Sequence, residues 1–200
     1  MIRITHRFTH RITTAALAMV LAGGLAACSA SDTTSAAPSG ASSTTASSST
    51  SDPGRAGDVM FAQMMIPHHQ QAVQMADMAL AKAGASDDVR SLATEIKAAQ
   101  DPEIQTMKGW LQEWGAPVST APMDHGSGGM MTSQEMDRLM AAEGEDFNKL
   151  WLELMTKHHE GAVRMAQDVL GTTKDPEVKA LAQAVVKAQT AEIERMKSMS

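Results

Sequence analysis

The sequence predicts an all-α protein, a four-helix bundle built from two copies of one helical hairpin. Three observations predict it. Beyond residue 56 the chain is dominated by Ala, Met, Gln, Glu, Lys and Leu, all good helix formers, and Tyr is absent from the whole sequence. The second half repeats the first at a nearly constant offset. The apolar stripes of the inferred helices carry His, Gln and Glu at matching places.

The first 27 residues stand apart from that fold. Arg3, Arg7 and Arg11 precede an apolar run, ITTAALAMVLAGGLAAC, and no acid occurs among them. This is the pattern of a bacterial secretory signal, too short for a good membrane-spanning helix. The run ends in Leu25-Ala26-Ala27-Cys28, which resembles a lipobox. That resemblance implies cleavage before Cys28 and a lipid on its sulfur, and so a membrane-anchored protein on the extracytoplasmic face. Residues 29–56 are Ser-, Thr- and Ala-rich and cannot bury a core, so they read as a flexible tether.

Two exclusions follow. Cys28 is the only cysteine, so a lipidated chain has no disulfide and no thiolate ligand. The signal carries three positive charges and no negative ones, so the mature net charge is 14 − 23 = −9. Such a surface argues against nucleic acid and anionic headgroups as partners. Attachment to the membrane would rest on the lipid.

Residues 57–200 hold the bundle. Helix A is expected from about Gly57 to Lys82, with Pro67 inside it and a kink there. Helix B starts after Ser86-Asp87-Asp88, an N-cap cluster, and runs to about Trp114, where Gly115 and Pro117 stop it. Helix C starts near Thr132, which forms capping-box spacing with Glu135, and runs to about Leu170 with a break near Gly144. Helix D starts at Asp175-Pro176-Glu177, an N-cap followed by Pro at N1, and runs to the C-terminus.

The repeats cover about 57–114 and 133–199. A shift of 90 carries Phe61, Met65, His68, His69, Met75 and Leu80 onto Trp151, Met155, His158, His159, Met165 and Leu170. Past the turn the shift is 89, and Gln100, Glu103 and Met107 fall on Gln189, Glu192 and Met196. A one-residue deletion in a turn costs little. A doubled hairpin suggests a pseudo-two-fold bundle.

At 100° per residue, His68 and His158 fall near the centres of their apolar faces. His69 and His159 lie at the margins and are expected to point sideways. Gln100 and Glu103, like Gln189 and Glu192, sit inside the faces of helices B and D. A glutamate is rarely buried unless paired or ligating. Antiparallel packing about turns near 85 and 173 puts residue 68 level with about 102, and 158 level with about 188. His68, His158, Glu103, Glu192 and the two Gln are therefore expected in one layer. Met65, Met107, Met155 and Met196, with Met64, are expected in the next layer, with Met75 and Met165 on the other side.

A polar layer of this kind can be a satisfied network that fixes register, and methionine is a good core filler. It can equally be a metal site. Imidazole suits Cu, Zn, Fe and Ni, and thioether selects Cu(I). Met beside His without cysteine, in an oxidising compartment, points to copper. The segment between the hairpins adds Met123, Asp124, His125, Met130 and Met131 in a Gly-rich loop, which is either a second metal site or a plain linker. Di-iron bundles instead need Glu-x-x-His on two helices. The positions three before His68 and His158 hold Met65 and Met155, which weakens a redox enzyme.

The stretches MMIPHHQQAVQMA, AAQDPEIQTMKGWL, LMTKHHEGAVRMA and KAQTAEIERMK resemble the bacterial family called domain of unknown function 305. The resemblance implies a ferritin-like four-helix fold, secretion or lipid anchoring, and a link to copper binding and copper tolerance. By resemblance His68, His69, His158 and His159 are signature histidines, and Met75, Met165, Glu103, Glu192, Met107 and Met196 match other signature positions. Asp58 fits an acid upstream of the first pair, and its counterpart is Asn148. The expected function is copper binding, for sequestration or handover to a metal-handling protein. A non-metal envelope interaction module and, less favoured, a di-metal redox enzyme stand as the alternatives.

Overall fold

The computed structural model describes residues 53–118 and 128–200. The signal, Cys28 and most of the tether, together with Met123, Asp124 and His125, lie outside the described residues.

The elements among the described residues are five α-helices: α1 (Pro53–Ala81), α2 (Asp87–Glu113), α3 (Ser133–Ala141), α4 (Gly144–Leu170) and α5 (Pro176–Met199). Helix α1 starts four residues before the expected Gly57, so residues 53–56 belong to the helix and not to the tether. A proline at N1 loses no helical bond, and Arg55 reaches Asp175 at 3.2 Å, which ties this first turn down. Helix α1 continues through Pro67. Pro102 lies inside α2 in the same way, one residue before Glu103.

The caps form as the sequence directs. Ser86 Oγ accepts from the Val89 amide, and Asp175 Oδ1 accepts from those of Glu177 and Val178. Thr132 and Glu135 make a full capping box. Glu135 also takes Lys157 at 2.7 Å, and this ammonium and the Thr132 amide hold its carboxyl down at about 2. That contact pins short α3 to α4. Helix C breaks near Gly144, as expected, and is two helices. Ala142 and Glu143 are extended, and Gly144 has φ +54, a backbone that L side chains rarely adopt.

Helices α1 and α2 form one antiparallel hairpin, and α4 and α5 form the other. The hairpins join through α1 and α4, which also run antiparallel. Contacts pair residue 57 with 172, His68 with His158, Met75 with Trp151, and Gly84 with Gly144. Arg195–Glu95 at 2.7 Å and Trp110–Glu177 at 3.2 Å link α2 to α5. The pseudo-two-fold therefore passes between His68 and His158.

Two apolar clusters fill the interior. One holds Met75, Leu92, Ile96, Phe147, Trp151, Met155 and Met196, and the other holds Phe61, Met65, Ile104, Met107, Trp110, Ala166 and Val185. The His, Gln and Glu residues fall between them on every long helix.

That division corrects the expected methionine layer. Met65 and Met107 lie in one cluster, with Met165 packed against it. Met155, Met196 and Met75 lie in the other. Because α1 and α4 run in opposite directions, repeat-equivalent residues go to opposite ends. Each end receives one trio, and the two trios exchange under the pseudo-two-fold.

Candidate functional site

The centre of the molecule is a layer of four histidines. All four are buried, His69 and His159 completely. The imidazoles of His68 and His158 meet at 3.7 Å between centroids with their planes 37° apart. They approach because both residues sit at the crossing of α1 and α4, with small Ala72 and Ala162 one turn further on.

The second histidine of each pair does not point out of the fold. His69 Nε2 donates to Glu103 at 2.7 Å, and His159 Nε2 donates to Glu192 at 2.8 Å. The expected level was right and the partner was not: Glu103 and Glu192 pair with these histidines. The reason is angular. A residue 100° from the core direction of α1 faces α2, its hairpin partner, and the same holds for α4 and α5. The carboxylates lie at the rim, with side chains 21 % and 19 % exposed, so the charged groups keep some contact with water.

Electrostatics keep the central pair neutral. Burial pushes the His68 pKa down to about 3, and the neighbouring His69 adds to the fall. His158 is lowered well below its ordinary value by burial and then by the adjacent His68. Neutral imidazoles in an apolar interior present lone pairs and no charge.

Those lone pairs have few takers. His68 Nε2 donates to the Gly128 carbonyl at 3.1 Å, which leaves Nδ1 as the lone-pair nitrogen. That Nδ1, both nitrogens of His158, and Nδ1 of His69 and of His159 are buried without a partner among the described residues. Gln100 and Gln189 Oε1 are buried and unpartnered as well. Orphaned buried polar atoms at this density call for a chemical explanation.

One difference between the two halves bears on this layer, and sequence reasoning missed it. Gln71 corresponds to Gly161. Gln71 Nε2 donates to the Met131 carbonyl at 2.9 Å, and its Oε1 accepts from the Met131 amide at 2.7 Å. Gly161 leaves room for residues 128–131, a strap laid over the layer, because a Cβ there would lie 1.8 Å from the Gly128 carbonyl oxygen. Gly128 and Gly129 have φ of +76 and +91. The strap thus crosses α4 at a glycine, is clamped to α1 by a glutamine, and caps His68 but not His158. The signal available in the sequence was Gln against Gly within otherwise parallel HH-x-x-A-V motifs.

The predicted ligands therefore fall in distinct places. His68, His69, His158, His159, Glu103 and Glu192 share the central layer. Met65, Met107 and Met165 lie on one side, and Met75, Met155 and Met196 on the other. Met130 and Met131 are buried, Met131 within the cluster of Met75, Met155 and Met196. Among the described residues no three of the His, Cys, Asp and Glu side chains converge closely enough to hold an ion by themselves.

Residues 58–200 match the family described as Domain of unknown function (DUF305). The chain belongs to this family. Solved structures agree. A DUF305 fragment from Deinococcus radiodurans is 32 % identical, with a TM-score of 0.68 over 74 % of this chain and 97 % of that one. A DUF305 protein from Streptomyces coelicolor, described as secreted, is 34 % identical, with a TM-score of 0.67 over 72 % and 89 %. CopM in its Cu(I)-bound form is 36 % identical, with a TM-score of 0.61 over 71 % and 94 %. CopM is also solved in Cu(II)-bound and Ag-bound forms. No curated protein matches the chain significantly.

Proposed function

We propose that this DUF305 chain is a lipid-anchored extracytoplasmic protein whose helical domain, a ferritin-like four-helix bundle, binds copper as Cu(I) for sequestration or handover. One observation carries the reading: His68 and His158, kept neutral by burial, meet at 3.7 Å, and His68 Nδ1 and the His158 nitrogens have no hydrogen-bond partner among the described residues.

The donor set fits a soft monovalent ion. A positive charge entering a dry core needs lone pairs that are not already protonated, and the central pair offers them. Thioether trios on both sides select Cu(I) over harder ions. Since no three His, Asp or Glu side chains converge among the described residues, sulfur is the donor that would complete a site there. Glu103 and Glu192 act one step back. By accepting from Nε2–H they fix the tautomer of His69 and His159 and leave Nδ1 as the basic nitrogen, which is how carboxylates commonly support imidazole ligands. CopM, similar over most of its length, has been solved with Cu(I), Cu(II) and Ag.

The envelope location rests on the basic-then-apolar N-terminus and the lipobox ending at Cys28. No helix among the described residues is long and apolar enough to cross a membrane. Lipid on Cys28 would supply the attachment. Elemental analysis of the full chain after separate exposure to Cu(I), Cu(II), Zn(II) and Fe(II) tests the reading. Retention of copper with little zinc or iron is expected. Retention of no metal would favour an envelope interaction module, and selective retention of iron would favour a redox enzyme.

A further inference from the structure

We propose that Met60, Met64 and Met165 form a second, surface-facing thioether site for a soft monovalent cation, Cu(I) or Ag(I), at the end of the molecule where α1 begins and α4 ends. The site rests on the copper reading above and extends it outward from the buried histidines.

The three methionines line a groove of about 240 Å³ between α1 and α4, with Phe61 at its wall and Asp168 and Thr172 at its edge. Met60 is 59 % exposed. Met64 and Met165 are half-buried. Residues 60, 64 and 68 follow one another at i, i+4 and i+8, so the sulfurs of α1 lead along one helical row to His68. Met165 borders the strap that holds His68: its Sδ lies 4.0 Å from where a Cβ on Gly128 would sit, and the Gly128 carbonyl accepts from His68. The exposed carboxylate of Asp168 supplies negative charge at the mouth.

Apolar filling is the competing explanation for methionine, and the pseudo-two-fold separates the two. The positions equivalent to Met60, Met64 and Met165 are Leu150, Leu154 and Met75. There Leu154 and Met75 are buried, as is Trp151, which donates to the Met75 carbonyl at 2.9 Å. Leucine thus fills one end, and the other end keeps sulfur in an open groove. Burial explains little at Met60, because most of its surface stays in water. Thioether chemistry explains it directly, since sulfur lone pairs bind soft cations and need no deprotonation.

The test is Ag(I) titration of the full chain carrying ¹³C-methyl methionine, followed by NMR. The methyl signals of Met60, Met64 and Met165 are expected to shift together, and to do so also in the His68→Ala/His158→Ala variant, where the inner pair is gone. Met60→Leu/Met64→Leu copies residues used at the opposite end and is expected to lose about one metal equivalent. If Met65 and Met107 shift on silver addition while Met60 and Met64 do not, the outer site is overturned and the inner one stands. Unchanged stoichiometry in the leucine variant overturns it equally. If no methionine methyl moves in the unaltered chain, the copper reading itself fails and this site with it.

Discussion

His68 and His158 meet at 3.7 Å between ring centroids across the crossing of α1 and α4, where the two hairpins of the molecule meet. Each is the first histidine of a doubled motif, and each is neutral because burial has driven its proton off. A pair of uncharged imidazoles with unsatisfied nitrogens gives the fold nothing that two apolar side chains would not give better. It does give an ion two nitrogen donors in a dry place.

The first prediction concerns acid. Both histidines have folded pKa values below the unfolded value of about 6.5, His68 at about 3. Below about pH 6.5 the unfolded chain binds protons that the folded chain refuses. Stability is therefore fully present above that pH and falls as pH drops toward the folded pKa, by up to about 1.4 kcal/mol per pH unit for each histidine. Thermal melts of the metal-free chain between about pH 7.5 and 4.5 should show this slope. His68→Gln/His158→Gln should flatten it. Equal slopes in the two proteins would contradict the neutral pair.

The strap gives a second prediction. Gly161→Ala would place a Cβ 1.8 Å from the Gly128 carbonyl oxygen and 2.6 Å from its carbon, so backbone must move. A loss of about 1–3 kcal/mol is expected in urea unfolding, with faster hydrogen exchange at the Met131 amide that Gln71 holds. Gly109→Ala is the contrast. A Cβ at Gly109, within α2, meets nothing within 4 Å, so that change should stabilise by roughly 0.5–1 kcal/mol. Similar effects at the two glycines would remove the strap's special fit.

The outer histidines give a third. Glu103→Ala and Glu192→Ala each leave a completely buried imidazole without its acceptor. Each should cost about 1–3 kcal/mol, toward the low end because water reaches the carboxylate positions. The two costs should be nearly equal, since the pseudo-two-fold exchanges the pairs. Paired urea titrations check this, and one large and one negligible loss would break the symmetry argument.

Much of this was legible in the sequence because helical periodicity and an internal repeat are local signals. The offsets of 90 and 89 paired His68 with His158 and Glu103 with Glu192, and the hairpin turns set their common level. What escaped was non-local. A helical wheel ranks His69 as marginal because it has one axis and no neighbour, yet the margin of α1 is where α2 packs. The direction of α4 against α1 decides whether Met65 joins Met155 or Met165, and no single-helix pattern encodes that direction. The Gln71/Gly161 difference became meaningful only once a strap was seen to cross there.

The most direct test of the central claim is titration of the full chain with Cu(I) under anaerobic conditions, alongside His68→Ala/His158→Ala. Saturation at a defined stoichiometry, with the inner equivalent missing from the double variant, is the predicted result. A double variant that binds as many Cu(I) ions, as tightly, as the unaltered chain would contradict it.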